Sequence, residues 1–229
     1  MTHTPTSVST GATPLSSTPR STVRRGHKRS RTDRAALYDV LDSCLICHLG
    51  LVRNGAPVVL PTVYGRLDDV LYLHGSTGAA SLIAAADGAP VSVAVTRLDG
   101  IVYARSVFHH SMNYASAVVH GTASPVTEPA AKREALRVVT EHVAPGSWEH
   151  ARLPTRKELA ATAVLALPLD EASVKLRSGP PNDDDPDVAG HEGWAGVLPL
   201  RRHWDAPQPC PLLADGTPVP PHVAGRDLP

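Results

Sequence analysis

Aromatic side chains are scarce in this sequence, which has one Phe, five Tyr and three Trp among 229 residues. The apolar fraction is nevertheless 42%, so a hydrophobic core is possible, and Val, Ala and Leu must fill it. An excess of charge is lacking too, because Lys plus Arg and Asp plus Glu each total 22. The net charge therefore gives no argument for a nucleic-acid or membrane partner.

Long apolar runs are also absent. No stretch of about 20 consecutive apolar residues occurs, so we predict no membrane-spanning helix. The first 30 residues contain no apolar segment of the kind found in secretory signals. Three cysteines in a chain without such a signal are typical of a reducing compartment. We therefore expect a cytoplasmic protein that does not interact with a membrane.

The common nucleotide-binding and hydrolase signatures are missing. The sequence has no Gly-x-Gly-x-x-Gly after a strand, no Gly-x4-Gly-Lys-Ser/Thr and no Gly-x-Ser-x-Gly. These absences exclude the standard dinucleotide fold, the P-loop and the nucleophile elbow as sequence-based assignments.

One cofactor-like motif is present, since Cys44, Cys47 and His48 spell the Cys-x-x-Cys-His of a c-type haem attachment site. The motif lies in the first of two apolar runs that flank Asn54-Gly55, which is a strong hairpin signal. Side chains alternate along a strand, so thiols three residues apart point to opposite faces. We therefore predict a buried strand with two small apolar thiols rather than covalent haem attachment.

The chain divides into three parts by composition. Residues 1–30 are rich in Ser, Thr, Pro and Arg and lack apolar periodicity, so we predict a disordered basic tail. A solvated tail is favoured over contact with nucleic acid, which we do not expect as a partner. Residues 31–180 form the predicted domain. Residues 181–229 are a Pro- and Asp-rich extension, of which the part around 193–204 is expected to dock on the domain.

Six or seven strands and three or four helices are predicted within the domain. Tight turns join most of the strands, at Asn54-Gly55, near Asp68 and, as a further hairpin, at Asp99-Gly100. Hairpins make antiparallel pairs. The predicted fold class is therefore mainly antiparallel β with flanking helices, arranged as a small β-barrel.

The step from a strand to a helix at His74–Gly78 is the first candidate site. Free backbone N–H groups at a helix start, together with the hydroxyls of Ser76 and Thr77, can bind an anion. The glycines Gly75 and Gly78 would let a phosphate approach the backbone. The alternative is that a hydroxyl of this step merely caps the helix.

A second cluster lies between two strands in the run Arg105 to Gly121, and we interpret it as a polar loop that hydrogen-bonds a ligand. A metal site would need carboxylates, and none lies nearby in the sequence, so no metal is predicted. A solvated loop is the alternative. In a third cluster, alternation places Lys175 and Arg177 on one face of a strand, where two cations can hold a phosphate or carboxylate. The candidate ligand-binding residues of the second cluster are Ser111, Asn113, Tyr114 and Ser116.

Three segments together resemble a known family: Leu60 to Ser81, Arg105 to Ala123 and Lys157 to Pro181. They are similar to FMN-binding split-barrel proteins of the pyridoxamine 5'-phosphate oxidase-like superfamily, in the branch that includes the nitroimidazole-resistance proteins. The resemblance implies a homodimeric split β-barrel that binds FMN in two clefts at the dimer interface. It implies that the phosphate is held by His74, Gly75, Ser76 and Thr77, that Pro61, Thr62, Val63 and Tyr64 run along the isoalloxazine ring, and that the strand from Asn113 adds further contacts.

Two departures from the family pattern concern the cofactor. Many relatives carry Arg or Lys after the phosphate loop, where this chain has Ala79-Ala80, and Ala115 replaces another Arg. Lys175 and Arg177 are candidates to compensate for the missing charges. Deazaflavin and haem therefore stay open as alternatives to FMN.

The expected function is an FMN-dependent oxidoreductase that acts on a small molecule. The alternatives are a non-catalytic flavin reservoir or sensor, and a protein that associates with nucleic acid through its basic arm. No catalytic residue is predicted, although His74 and His110 are titratable groups near the candidate clusters.

Overall fold

The computed structural model describes residues 14–190 and 193–227. These residues contain ten strands, listed here in chain order: β1 (Ser30–Arg31), β2 (Ile46–Arg53), β3 (Ala56–Leu67), β4 (Val70–Ser76), β5 (Pro90–Tyr103), β6 (Ser111–Thr122), β7 (Ser124–Pro125), β8 (Thr162–Pro168), β9 (Glu171–Arg177) and β10 (Gly196–Pro199).

Seven helices accompany the strands in the described part: α1 (Arg34–Asp42), α2 (Ala80–Ala86), α3 (Pro129–Val143), α4 (Ser147–His150), α5 (Arg156–Ala161), α6 (Asp185–Gly190) and α7 (Pro221–Ala224). The longer helices begin at side-chain caps, because Asp33 caps α1 and Glu128 caps α3, followed by Pro129 at its first position. None of these helices combines the length and apolar character that crossing a bilayer requires.

The strands form one antiparallel sheet in the order β1-β9-β6-β5-β2-β3-β4-β8-β7, and β10 adds to β5. The sheet encloses a core of aliphatic side chains from its strands and from α1 and α2. This arrangement confirms the predicted split barrel, mainly antiparallel β with flanking helices.

The hairpin between β2 and β3 turns at Asn54-Gly55, as predicted. Both residues have positive φ, 52° and 76°, which matches the tight turn that these residue types favour. The hairpin predicted at Asp99-Gly100 is wrong. β5 runs straight through this dipeptide, and only a register shift against β6 between Leu98 and Gly100 marks it. An Asp-Gly pair suits a bulge as well as a turn, so the local pattern could not distinguish them.

The two central cysteines both enter the core. Cys47 lies within β2 and is fully buried, whereas Cys44 precedes the strand and is also buried. Strand alternation therefore does not determine where Cys44 points, because β2 begins only at Ile46. Both thiols are free, and His48 is exposed on the opposite side of β2 from Cys47. The Cys-x-x-Cys-His side chains thus do not converge on one site in this fold.

Residues 14–31 form what we call the N-terminal strap, and they differ from the predicted disordered tail. Leu15 lies in the core, and Ser21 is buried. Thr18 and Arg20 both bond the carboxylate of Glu171 on β9. The composition of residues 1–30 does not reveal these contacts, because their partner lies about 150 residues away in the chain. Residues 1–13 of the predicted tail lie outside the described residues.

The C-terminal extension lies against the domain at two places. β10 pairs with β5, so that Gly196 faces Tyr103 and Pro199 faces Gly100. Before it, the carboxylate of Asp183 accepts hydrogen bonds from the backbone N–H and the guanidinium of Arg105 at 2.8 and 2.7 Å. The segment expected to dock, residues 193–204, contains β10.

Candidate functional site

One broad face of the sheet points away from the core, and we call it the outer face. In β6 the core side chains are Ala115, Ala117 and Val119, so Tyr114 and Ser116 point outward. Residues directly opposite each other in an antiparallel pair share a face. Tyr114 faces Arg177, and Ser116 faces Lys175. The structure therefore brings together four residues that the sequence singled out in separate segments.

The β3 residues predicted to lie along a flavin divide between the two faces. Pro61 pairs with His48 and lies on the outer face, as does Val63. Thr62 pairs with the buried Cys47 and points inward. β3 stands three strands away from β6 in the sheet. Only every second residue of the predicted segment is therefore available to a ligand on the outer face.

Tyr64 is a core residue rather than part of a ligand site. Its ring is fully buried, and its hydroxyl lies within hydrogen-bonding distance of the carbonyls of Leu41 and Cys44. Burial strongly raises the pKa of Tyr64, so the hydroxyl stays protonated. The expectation that this side chain contacts the isoalloxazine ring does not agree with the structure.

Asn113 and Arg177 hydrogen-bond the main chain just after the end of β9. The buried Asn113 amide donates to the carbonyl of Gly179 at 3.2 Å, and its oxygen accepts from Arg177. Arg177 also donates to the carbonyls of Gly179 and Pro180. Desolvation and the positive charge of Arg29 lower the pKa of Arg177. Lys175 makes no ion pair with a described residue.

The loop between β4 and α2 differs from the predicted anion pocket. The backbone N–H of Thr77 donates to Ala161, and those of Gly78 and Ala79 donate to Ser76. α2 begins at Ala80 without a side-chain cap, so the simple capping alternative is wrong as well. The exposed hydroxyls of Ser76 and Thr77 are what the loop still offers to an anion.

Gly75 has a packing role in this loop. A Cβ atom at this position would lie 2.7 Å from Cδ1 of Leu82 in α2, which is closer than real contacts allow. The glycine therefore lets α2 lie against β4. Close approach of a phosphate, the predicted reason for Gly75, is not needed to explain it.

His74 is a residue of β4, and its side chain lies on the face of that strand that α3 covers. Leu71 and Leu73 point into the core, so alternation turns His74 the other way. Its Nδ1 atom is fully enclosed and has no hydrogen-bond partner among the described residues. Burial lowers the pKa of His74, which keeps the imidazole neutral near pH 7. A neutral imidazole has one protonated nitrogen and one nitrogen with a lone pair, which can bind a ligand.

The imidazole of His74 opens on a cleft of about 380 Å³, which we call the His74 cleft. Its floor is β4, and α3, α4, α5 and the loop between α4 and α5 form its walls. Arg152 at the cleft is paired with Glu158 at 2.8 Å. The apolar lining comes from Leu136, Trp148, Ala151, Leu153 and Pro154. Sequence reasoning named His74 but could not find the cleft, because the other residues come from segments more than 60 positions away.

Two further cavities, of about 310 and 490 Å³, lie where the C-terminal extension crosses the end of α3 and helix α4. The rings of His150 and His222 stand 4.9 Å apart between them. Trp204 lines the first cavity, and Cys210 lines the second. Nothing in the local sequence indicated these residues, since each cavity forms only when the extension folds back.

The loop before β6 is held by the extension rather than solvated alone. Nδ1 of His110 accepts a hydrogen bond from the backbone N–H of Ala104 at 3.2 Å. Nε2 of His109 lies 3.1 Å from Asp184, and Asp187 lies near both. The sequence search found no carboxylate near this loop, because these two are more than 70 residues away. Phe108, which precedes His109 in this loop, is 86% exposed.

Comparisons with known proteins agree with this fold. Residues 33–176 match the family model described as pyridoxamine 5'-phosphate oxidase. No curated protein matches the sequence. Because the model covers more than half of the chain, the protein belongs to the pyridoxamine 5'-phosphate oxidase family, as the resemblance predicted.

Two solved structures are similar over most of the chain. One is an FAD and haem binding protein from Mycobacterium smegmatis, 46% identical, with a TM-score of 0.83 over 86% of this chain and 96% of that chain. The other is a flavocytochrome from Azotobacter vinelandii, 36% identical, with a TM-score of 0.88 over 94% of this chain and all of that chain.

A more distant structure shares the fold alone. It is a putative 5-nitroimidazole antibiotic resistance protein from Bacteroides thetaiotaomicron, 21% identical, with a TM-score of 0.52 over 64% of this chain and 85% of that chain.

Proposed function

We propose that this protein is a redox protein that binds a flavin on the outer face of its sheet and a haem in the His74 cleft. The names of the two similar structures support this pairing of cofactors, since one binds FAD and haem and the other is a flavocytochrome. The observation that carries the proposal is the enclosed Nδ1 atom of His74, which has no partner among the described residues. A bound flavin supplies hydride chemistry, and a haem supplies one-electron chemistry.

The His74 cleft has the donor set that a haem needs. A neutral imidazole is a common axial ligand of haem iron, and the lowered pKa of His74 keeps it neutral. Leu136, Trp148 and Leu153 provide an apolar surface for a porphyrin. Arg152 lines the same cleft, and a haem propionate would replace Glu158 as its partner there. We therefore assign His74 as the ligand and these side chains as the pocket.

The outer face has the groups that a flavin needs. Tyr114 and Ser116 present hydroxyls beside Lys175, and Pro61 and Val63 give the face a flat apolar part. We propose FAD rather than FMN, because the relative with 46% identity binds FAD and because the phosphate loop carries no cation. Thr62 and Tyr64 point into the core on the other side of β3, and their packing positions this strand.

Absorption spectroscopy tests the proposal directly. The full chain, purified and supplied with haem, is expected to show a Soret band together with flavin absorption. His74→Ala should remove the Soret band and leave the flavin, because Tyr114, Ser116 and Lys175 lie on β6 and β9, four and five strands away from β4. His120→Ala is the matched control: His120 is also half-buried with a lowered pKa, but it bonds Ser92 on the outer face. It should keep the haem.

The remaining outcomes distinguish other functions. A His74→Leu variant that folds and keeps the native Soret band would disprove the haem assignment. Released FMN in place of FAD would favour the FMN-dependent oxidoreductase that the sequence predicted. A bound flavin that neither NADH nor NADPH reduces would favour a flavin reservoir or sensor. Three free cysteines are in keeping with a cytoplasmic location, which we also propose.

A further inference from the structure

Positive charge is concentrated where the N-terminal strap crosses β9. Ser30 of β1 lies opposite Lys175, and a Cβ atom on Gly26 would lie 3.8 Å from Nζ of Lys175. Arg29 is close enough to Arg177 to lower its pKa. Arg29 therefore adds its charge to the two cations on β9, and Arg24, Arg25 and Lys28 lie within five residues of it in the strap. We call this group the basic collar, and its members are Arg24, Arg25, Lys28, Arg29, Lys175 and Arg177.

The collar lacks compensating acids. Glu171, the acidic residue of β9, is already paired with Arg20. No described carboxylate pairs with Lys28, Arg29 or the two preceding arginines, all of which are exposed. Arg177 is bonded to carbonyl groups, so the strap cations are the ones free to reorient. Like charges held together repel, and a bound polyanion would relieve that repulsion.

The position of the collar in the sheet relates it to the outer face. Tyr114 stands beside Arg177 and Ser116 beside Lys175, so the collar borders the surface assigned to the flavin. The loop at Ser76, where a single flavin phosphate was expected, is on β4, five strands away from β9. That loop has no cation, and three of its amides are already bonded, two to Ser76 and one to Ala161. The cations that can bind a phosphate thus lie five strands away from the loop at which the resemblance placed the flavin phosphate.

We propose that the basic collar binds the diphosphate of a dinucleotide flavin and so selects FAD over FMN. The inference rests on the proposed flavin site, and it adds the part of the ligand that the strap recognises. Two adjacent phosphates match a group of several cations better than one phosphate does. Exposed Arg and Lys side chains can close on the diphosphate without rearrangement of the sheet.

The test compares ligands that share or lack the second phosphate. Flavin-depleted full-length protein is titrated with FAD, FMN and ADP, alongside a variant with Arg24→Gln, Arg25→Gln, Lys28→Gln and Arg29→Gln. We expect the variant to bind FAD at least about tenfold more weakly and FMN within about twofold of wild type. ADP should compete with FAD in the wild type. The control replaces four other exposed cations with Gln: Arg53, Arg133, Arg156 and Lys157.

Each contrary outcome has a distinct meaning. Equal weakening of FAD and FMN, or no weakening, would overturn the proposal. Loss of binding to a single-stranded oligonucleotide with an unchanged FAD to FMN ratio would assign the collar to nucleic acid instead. If wild type binds neither flavin but binds ADP through the collar, the diphosphate site stands and the proposed flavin function fails.

Discussion

Tyr64 helps to join the end of α1 to β3, beside the ion pair between Arg66 and Asp42. Its hydroxyl is buried beside the carbonyls of Leu41 and Cys44, and the second of these also accepts from Nε2 of His142 at 2.7 Å. Tyr64→Phe should leave the Leu41 carbonyl unsatisfied and lower the free energy of unfolding by about 1–3 kcal/mol. Urea denaturation measures this. Tyr72→Phe, in the half-buried tyrosine of β4, should cost less, and equal costs would contradict the argument.

The three cysteines should differ sharply in reactivity. Burial raises the pKa of Cys47 to about 12 and raises that of Cys44, whereas Cys210 is exposed. Since the thiolate is the reactive form, a thiol reagent at neutral pH should label Cys210 alone in the native protein and all three in denaturant. Peptide mass analysis identifies the labelled sites. Rapid native labelling of Cys47 would show that the core opens there.

At the scale of elements, the N-terminal strap depends on one apolar anchor. Leu15 is 7% exposed and packs in the core, whereas Val23, the other aliphatic residue of the strap, is only partly buried. Leu15→Ala should lower the free energy of unfolding by about 2 kcal/mol or more, because it removes buried apolar atoms and leaves a cavity. Leu212→Ala is the control, since Leu212 is 93% exposed and should change stability by less than about 0.5 kcal/mol. A similar effect in both variants would mean that the strap is not anchored.

Elements that rely on local contacts could be predicted from the sequence, and elements that rely on distant ones could not. The Asn54-Gly55 turn and helix α2 depend on residues adjacent in the chain, so pattern alone found them. The strap is fixed by Glu171, and the loop at His109 by Asp184. Composition in a short window does not contain such partners.

At the scale of the whole molecule, the exposed apolar side chains indicate a partner. Val107 and Phe108 are 85% and 86% exposed, and Ile46 and Val59 of the outer face are 55% and 65% exposed. We propose a homodimer that covers these groups. Val107→Ser with Phe108→Ser should weaken the dimer while circular dichroism stays unchanged. Light scattering over a dilution series measures the effect, and Leu212→Ser is the control. A wild type that is monomeric at all concentrations would refute the dimer.

The candidate site was predictable only in part, because some of its residues are brought together by segments that are distant in the sequence. Tyr114, Ser116, Lys175 and Arg177 were named from the sequence, and strand alternation was enough to place them on one face. The His74 cleft needed α3, α4 and α5 to converge on β4. His74 itself was named as a phosphate contact, because the strand-to-helix step suggested an anion and nothing local showed the helix above it.

Gly65 on β3 determines how near α3 lies to the sheet. A Cβ atom there would be 2.8 Å from the main chain of Val138 and Val139, which no rotamer change can relieve. Gly65 faces Tyr72, the residue two positions before His74 on the same side of β4. Any larger residue at position 65 would push α3 away from the sheet. The space between α3 and the imidazole of His74 would then widen. The distance between α3 and the imidazole of His74 therefore depends on the absence of a side chain at position 65.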